Sequence, residues 1–362
     1  MILNKREAEI KNFLGISGWS DAVRNPIPGD ASTRRYERLA KGHQHAVLMD
    51  APPAAELPGE PEDATPEQRR ALGYNAVARL AGASPESFTA IAQALLQRGF
   101  SAPQIIAADL ERGFVLLEDF GNDIYAKVVQ TNPSREPLLY ETAVDLLAAL
   151  YRSSFSSVVK YDTTAWRLRN YDTTALLAET DLCLDWYAKD FERDISETAR
   201  EAFYAHWITA FETLNAHPSG LALRDFHAEN LFWLPQRTGV ARTGLIDFQD
   251  ALFTHPAYDL ASLIEDIRRD VSPELTEPLI ARFCDKAGLR DGPEFRAAYA
   301  VIGTQRSTKL LGFPVRADLK FGKPQYRALL PRVTRHFQNS LSHPALIDIK
   351  IWFETYLPDT LK

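Results

Sequence analysis

The chain has 362 residues, 45% of them apolar and 25% charged, and a formal net charge of −7. That balance is the one of a folded globular protein with room for two lobes, and it excludes intrinsic disorder. A pI near 5.7 provides no overall basic field for nucleic-acid binding, and no run approaches the ~18 apolar residues of a membrane span.

The first thirteen residues mix charged and apolar side chains without an apolar leader core, so no secretory signal is read and a cytoplasmic location is expected. Residues 27–50 read as strand, turn, strand, with 46–49 a short apolar run suited to a buried strand. Residues 51–85 carry Pro52, Pro53, Pro58, Pro61, Pro66 and Pro85 and read as a surface insertion with one short helix around 68–80. Phe88, Ile91, Ala92, Leu95 and Leu96 then recur at helical steps, with Ser84 as N-cap, Pro85 in the first turn and Gly99 closing the helix. Residues 114–117 form another strand, and Glu118-Asp119-Phe120-Gly121 reads as a connector between lobes.

Beyond the connector the pattern is helical, as in the stripe Leu139, Ala143, Leu146, Leu147 and Leu150. One interruption stands out: residues 221–250 read as loop, short strand (231–234), turn, short strand (244–246), loop. These elements predict an α+β, bilobal chain. A small β-rich N-terminal lobe spans 1–120, with the proline-rich insertion at 51–85, and a larger helical lobe spans 121–362. Cys183 and Cys284 lack metal or disulfide spacing and read as buried small hydrophobes. Residues 301–362 hold ten Lys or Arg against four acids, and most of these charges read as solvated helix faces.

The chemistry concentrates in Leu221-Ala-Leu-Arg-Asp-Phe-His-Ala-Glu-Asn-Leu-Phe-Trp-Leu, which sets Asp225 five residues before Asn230 at the head of the first hairpin strand. The second strand ends in Gly244-Leu-Ile-Asp247-Phe-Gln-Asp, so a hairpin would bring three oxygen-bearing side chains together. Mg²⁺ takes hard oxygen ligands, one or two of them from protein, which suits Asn230 and Asp247. Asp225 is then free to accept a proton from a hydroxyl nucleophile, the division of labour of kinase-type phosphoryl transfer. An isolated D-x-x-x-x-N means little; joined to a strand ending in I-D-F at hairpin distance, it is a strong signal.

With L-R-D-F-H-A-E-N, G-L-I-D-F-Q-D-A and H-P-A-Y-D-L-A, the chain resembles the aminoglycoside phosphotransferase and choline kinase superfamily, relatives of protein kinases. Within it, P-G-D-A-S-T-R-R-Y-E-R-L, V-L-M-D-A-P-P, I-I-A-A-D-L-E-R-G-F-V-L-L-E-D-F-G and T-Q-R-S-T-K-L-L-G-F resemble bacterial N-acetylmuramate/N-acetylglucosamine anomeric kinases of cell-wall recycling. The resemblance implies a protein-kinase-like fold whose N-terminal lobe binds ATP and whose helical lobe carries the acceptor site. It implies Asp225 as the base, Asn230 and Asp247 as Mg²⁺ ligands, and Glu118, Asp119 and Phe120 as the adenine-contacting hinge. His227 would pack within the catalytic loop, and Asp259 would brace that loop from behind.

Three departures matter. Leu223 stands where a protein kinase has histidine, residues 46–49 contain no lysine, and no G-x-G-x-x-G loop is present. Phosphate contacts are therefore expected from Ser32 and Thr33 with their backbone amides, and from Arg34 and Arg35. One arginine of the pair faces inward, and strand alternation does not say which. On the acceptor side, Arg306 and Lys309 sit three apart on one helix face, beside which a substrate carboxylate would fit, and Gln305 precedes Lys309 by four. Trp166 and Trp186 stay open between core and sugar platform.

The expected partner is a small amino sugar, with no nucleic acid, membrane or obligate protein partner. A phosphotransferase for aminoglycosides, choline or another small alcohol is the alternative, weakened because polycationic or quaternary-amine acceptors need acidic or aromatic pockets. A non-catalytic pseudokinase-like binding module is disfavoured by intact base and metal positions.

Overall fold

The computed structural model describes residues 2–28, 34–52, 64–80 and 85–361. Ser32 and Thr33 lie outside the described residues. Helix α1 (Ile2–Ile16) opens the chain and has no counterpart in the sequence reading, because its apolar stripe is short. Ile10, Phe13 and Leu14 nevertheless recur at helical steps and bury against Leu39, Leu48, Phe114 and Leu116 on one face of a sheet.

That sheet is antiparallel and five-stranded, in the order β1-β2-β3-β5-β4. Its strands are β1 (Val23–Ile27), β2 (Arg35–Lys41), β3 (Gln44–Asp50), β4 (Ile105–Asp109) and β5 (Phe114–Glu118). Central β3 alternates between two cores: Ala46 and Leu48 meet α1, while Met49 joins the cluster of Phe88, Ile91 and Leu95 on α3 (Pro85–Leu96).

Between β3 and α3 lies the insertion. Helix α2 (Pro66–Leu72) starts with a Thr65–Gln68 capping box and stops at Gly73, where φ is 98°. One π-helical turn, Asn75–Arg79, follows. As its composition suggests, α2 lies on the surface, with every residue but Arg69 exposed, yet the stretch is anchored: Arg69 pairs with Asp172 at 2.5 Å, and Val77 and Ala78 sit against Ala178. Both partners belong to the start and body of helix α6, so the insertion docks onto the helical lobe.

The helical lobe comprises α4 (Tyr125–Thr131), α5 (Glu136–Arg152), α6 (Thr173–Leu182) running through a π-helical turn into α7 (Ala188–Asp190), and α8 (Glu197–Phe211). It continues with α9 (Ala257–Ile264), α10 (Pro273–Ala287), α11 (Pro293–Phe321), α12 (Leu330–Leu341) and α13 (Ile347–Tyr356). Hairpin β6 (Val158–Tyr161)–β7 (Thr164–Arg167) packs on α3, and two further pairs, β8 (Gly220–Ala222) with β11 (Leu252–Thr254) and β9 (Leu231–Trp233) with β10 (Thr243–Leu245), frame the cleft. The long α11 is the spine of this lobe. A Cβ at Gly312 would stand 1.9 Å from the Leu182 carbonyl, so only glycine lets α11 lie against the end of α6. The fold is α+β, a small β-rich lobe on a larger helical one. Among the described residues no helix is long and apolar enough to cross a membrane.

Candidate active site

The antiparallel β9–β10 pair sets Leu231 opposite Leu245, which brings Asn230 beside Asp247. Asn230 Nδ2 lies 3.4 Å from Asp247 Oδ2, donates to the Asp225 carbonyl at 3.0 Å and sits 3.2 Å from His227 Nε2. The amide nitrogen thus closes the 225–230 loop, and the amide oxygen is left as the atom that can bind a cation. Behind the loop, Asp259 accepts the backbone N–H groups of Leu223 and Arg224 at 2.6 and 2.9 Å. Burial pushes the Asp259 carboxyl up to about 6, against those two hydrogen bonds. Buried His227 packs inside the loop.

Arg224 and Asp247 hold left-handed backbones, with φ of 71° and 59°, a conformation costing roughly 1–2 kcal/mol for residues with a Cβ. The strain turns the Asp225 side chain outward: it is exposed while Leu223, Arg224, Phe226 and His227 are buried. Burial and then the charge of Asp225 push the Asp247 carboxyl up, and Gln249, donating to Asp247 Oδ1 at 2.8 Å, opposes them. Facing carboxylates of this kind favour a cation between them. The donor set of one amide oxygen and one carboxylate fits Mg²⁺, which keeps its remaining positions for phosphate and water.

On the opposite wall, Arg34 is 4% exposed, beside Tyr36, and its charge reaches Asp247. Arg35, the first residue of β2, is exposed. The hinge side chains have local partners. Glu118 pairs with Arg237, Asp119 takes Arg38 Nε at 2.7 Å, and the Phe120 ring lies 5.6 Å from Phe232. A Cβ at Gly244 would meet the Phe120 ring at 2.9 Å, so this glycine admits the hinge onto the hairpin. Phe248, next to Asp247, stacks on Phe88 of α3 at 4.9 Å and links the two lobes at the site.

Asp225 also borders a cavity of about 260 Å³. Six cations line it (Arg79, Arg224, Arg268, Arg306, Lys309 and Arg316), with the acids Glu179, Asp225, Asp250 and Asp266 and the aromatic rings of Tyr74, Tyr258 and Phe313. Its floor is a buried ionic cluster. Glu179, at 0% exposure, takes Arg224 at 2.7 Å and Lys309 at 2.6 Å, with Tyr171 donating to it and Gln305 Nε2 at 3.4 Å. The two cations hold the Glu179 carboxyl down against burial, the largest single influence on it, which favours protonation. Arg79 from the insertion pairs with Asp250 at 2.7 Å, and its carbonyl accepts Arg224 Nη1.

The structure therefore brings Asp225, Asn230, Asp247, Arg34, Arg306 and Lys309 around one cleft, while Arg35 points to solvent, Glu118 and Phe120 contact the helical lobe, and Asp119 is held by Arg38 of β2. Trp166 and Trp186 do not line the cavity. Cys183 and Cys284 are buried. Sequence reasoning missed Glu179, Arg224, Tyr74, Arg79 and Arg316. Arg224 and Arg316 carried a signal, one inside the loop motif and the other continuing the 306-309-313 helical stripe; a lone glutamate on α6 carried none.

Known proteins resemble this chain in sequence and in fold. Residues 23–299 match the sequence profile of the phosphotransferase enzyme family. The chain is 40% identical over 359 residues to the N-acetylmuramate/N-acetylglucosamine kinase of Caulobacter vibrioides, covering 98% of each. Its fold is similar to that of a choline/ethanolamine kinase family protein from Mesorhizobium loti, with a TM-score of 0.55 at 13% identity over 97% of this chain and 99% of the other. It is similar also to a thermostable mutant of aminoglycoside phosphotransferase APH(4)-Ia in ternary complex with AMP-PNP and hygromycin B, at TM-score 0.53, 13% identity, 92% of this chain and 100% of that one. The bilobal architecture is thus the protein-kinase-like one these enzymes share.

Proposed function

The chain belongs to the phosphotransferase enzyme family and is a kinase, and we propose that it moves the γ-phosphoryl group of ATP onto the anomeric hydroxyl of N-acetylmuramate and N-acetylglucosamine. The observation that carries this reading is Asp225, an exposed carboxylate between the Asn230–Asp247 pair and a small cationic cavity. About 260 Å³ lies just below the ~300–1,000 Å³ span of small-molecule pockets and suits a monosaccharide. With six cations against four acids its lining is net positive, which favours an acceptor with a carboxylate over aminoglycosides and choline, themselves cations. A cytoplasmic role in recovering cell-wall amino sugars follows from such acceptors.

In this reading Asp225 accepts the proton of the attacking sugar hydroxyl, and the loop hydrogen bonds to Asp259 fix the base in place. Asn230 and Asp247 would hold Mg²⁺, which when bound neutralises phosphate oxygens. Arg34, buried opposite them, donates charge-assisted hydrogen bonds to the phosphates in place of a strand lysine. With its carboxylates engaged by Arg38 and Arg237, the hinge meets adenine through its main chain.

Incubation with Mg·ATP and a panel of N-acetylmuramate, N-acetylglucosamine, kanamycin and choline tests the proposal, with phosphorus NMR locating the phosphate. Anomeric phosphates on the two amino sugars are expected. Phosphate on kanamycin or choline with none on either sugar would overturn the reading.

A further inference from the structure

Five of the six cations around the acceptor cavity already have polar or acidic partners. Arg79 pairs with Asp250, Arg224 and Lys309 with Glu179, and Arg268 with Glu229 at 3.2 Å. Arg306 donates to the Ser262 hydroxyl at 2.8 Å and lies in the fields of Asp259 and Glu265. Arg316 differs. Among the described residues no carboxylate lies within salt-bridge distance of it, and its guanidinium rests 4.9 Å from the Tyr74 ring centre and 5.4 Å from that of Phe321. Aromatic faces orient a guanidinium and hold its stem without neutralising its charge or occupying its edge donors. Among the described residues, the half-buried Arg316 thus stands on the cavity wall with its donors uncommitted to any acid.

Position adds to chemistry. Arg306, Lys309, Leu310, Phe313 and Arg316 form one stripe of α11, with Arg306 by the catalytic loop and Arg316 ten residues on, roughly 15 Å along the axis. An acceptor that presents its anomeric hydroxyl to Asp225 would lie in the cavity whose wall also carries Arg316. Tyr74, which seats Arg316, comes from the proline-rich insertion, and the insertion is held in place by Arg69–Asp172 and Arg79–Asp250.

We propose that Arg316, seated by Tyr74 of the insertion, reads the carboxylate of the acceptor and thereby sets the preference for N-acetylmuramate over N-acetylglucosamine. The inference rests on the acceptor reading above. Only N-acetylmuramate carries the lactyl carboxylate, and a charge-assisted hydrogen bond from an arginine fork would be gained by that sugar alone.

Steady-state kinetics of wild type, Arg316→Ala, Arg316→Lys and Arg306→Ala on both sugars tests it. Arg316→Ala is expected to lower kcat/KM for N-acetylmuramate about tenfold to a hundredfold more than for N-acetylglucosamine. The loss should appear in KM, and Arg316→Lys should recover part of it. Arg306→Ala should impair the two sugars alike. Equal losses on both sugars in Arg316→Ala, no loss on either, or discrimination lost in Arg306→Ala instead would overturn the assignment while leaving the kinase reading intact. A wild type inactive on both sugars would overturn the acceptor reading itself, and this inference with it.

Discussion

The catalytic hairpin and the acceptor wall are both crowded with charge, yet they treat it in opposite ways. At the hairpin, no salt bridge reaches Asp225 or Asp247 among the described residues, and burial together with Asp225 drives the Asp247 carboxyl upward against the field of Arg34. Along the wall, Arg224 and Lys309 share the buried Glu179, and Arg79 is matched by Asp250. The hairpin acids stand without an ion pair among the described residues, whereas the wall's cations are matched and build its floor. The lesson is that an electrostatic defect left open in a folded protein points toward ligand, whereas a satisfied cluster points toward architecture.

The contrast can be broken most decisively at Asp225. Asp225→Asn is expected to lower kcat about 10²–10⁴-fold, the usual cost of losing a general base, while Tm stays level or rises because a repulsive neighbour of Asp247 is gone. Near-normal turnover, or a fall in Tm of several degrees, would show that this acid is architectural after all. Glu179→Ala should behave in the reverse sense. Removing it strands the buried Arg224 and the half-buried Lys309, a loss of about 3 kcal/mol in unfolding free energy measured by denaturant titration. A loss under about 1 kcal/mol would mean that water or relaxation replaces the carboxylate and that the floor is not built on it. The smallest effect sharpens the phosphate side. Arg34→Ala should raise the KM for ATP about tenfold, and clearly more than Arg35→Ala, as loss of one charge-assisted hydrogen bond implies. The opposite ranking would return the inward arginine to a structural role.

How far the chain could be read in advance depended on how local each feature is. The hairpin was legible because the catalytic loop, its two strands and the terminal aspartate lie within thirty consecutive residues, and short-range pairing leaves them one arrangement. The helical stripe Gln305 to Lys309 was legible as a spacing, but its shared partner Glu179 lies some 126 residues upstream, where no local pattern marks it. Likewise the alternation of β2 offered two arginines and no choice, since inside and outside are defined only by the cleft opposite. Composition placed residues 66–80 on the surface, which holds for α2, but it could not show that Arg69 and Arg79 are answered by Asp172 and Asp250 from the other lobe or that residues 76–78 are buried.

By itself, then, the sequence determined the α+β division and the hairpin with Asp225, Asn230 and Asp247, because each is written in contiguous residues whose periodicity or spacing has a direct geometric meaning, while the family came from the resemblance of its motifs. Only the tertiary structure decided that Arg34 turns inward, that Lys309 is bound to Glu179, and that Tyr74 from one lobe seats Arg316 from the other. The physical reason is that charge and burial are properties of a position in space. A side chain's role is set by which distant groups answer it, and folding alone brings those groups within reach.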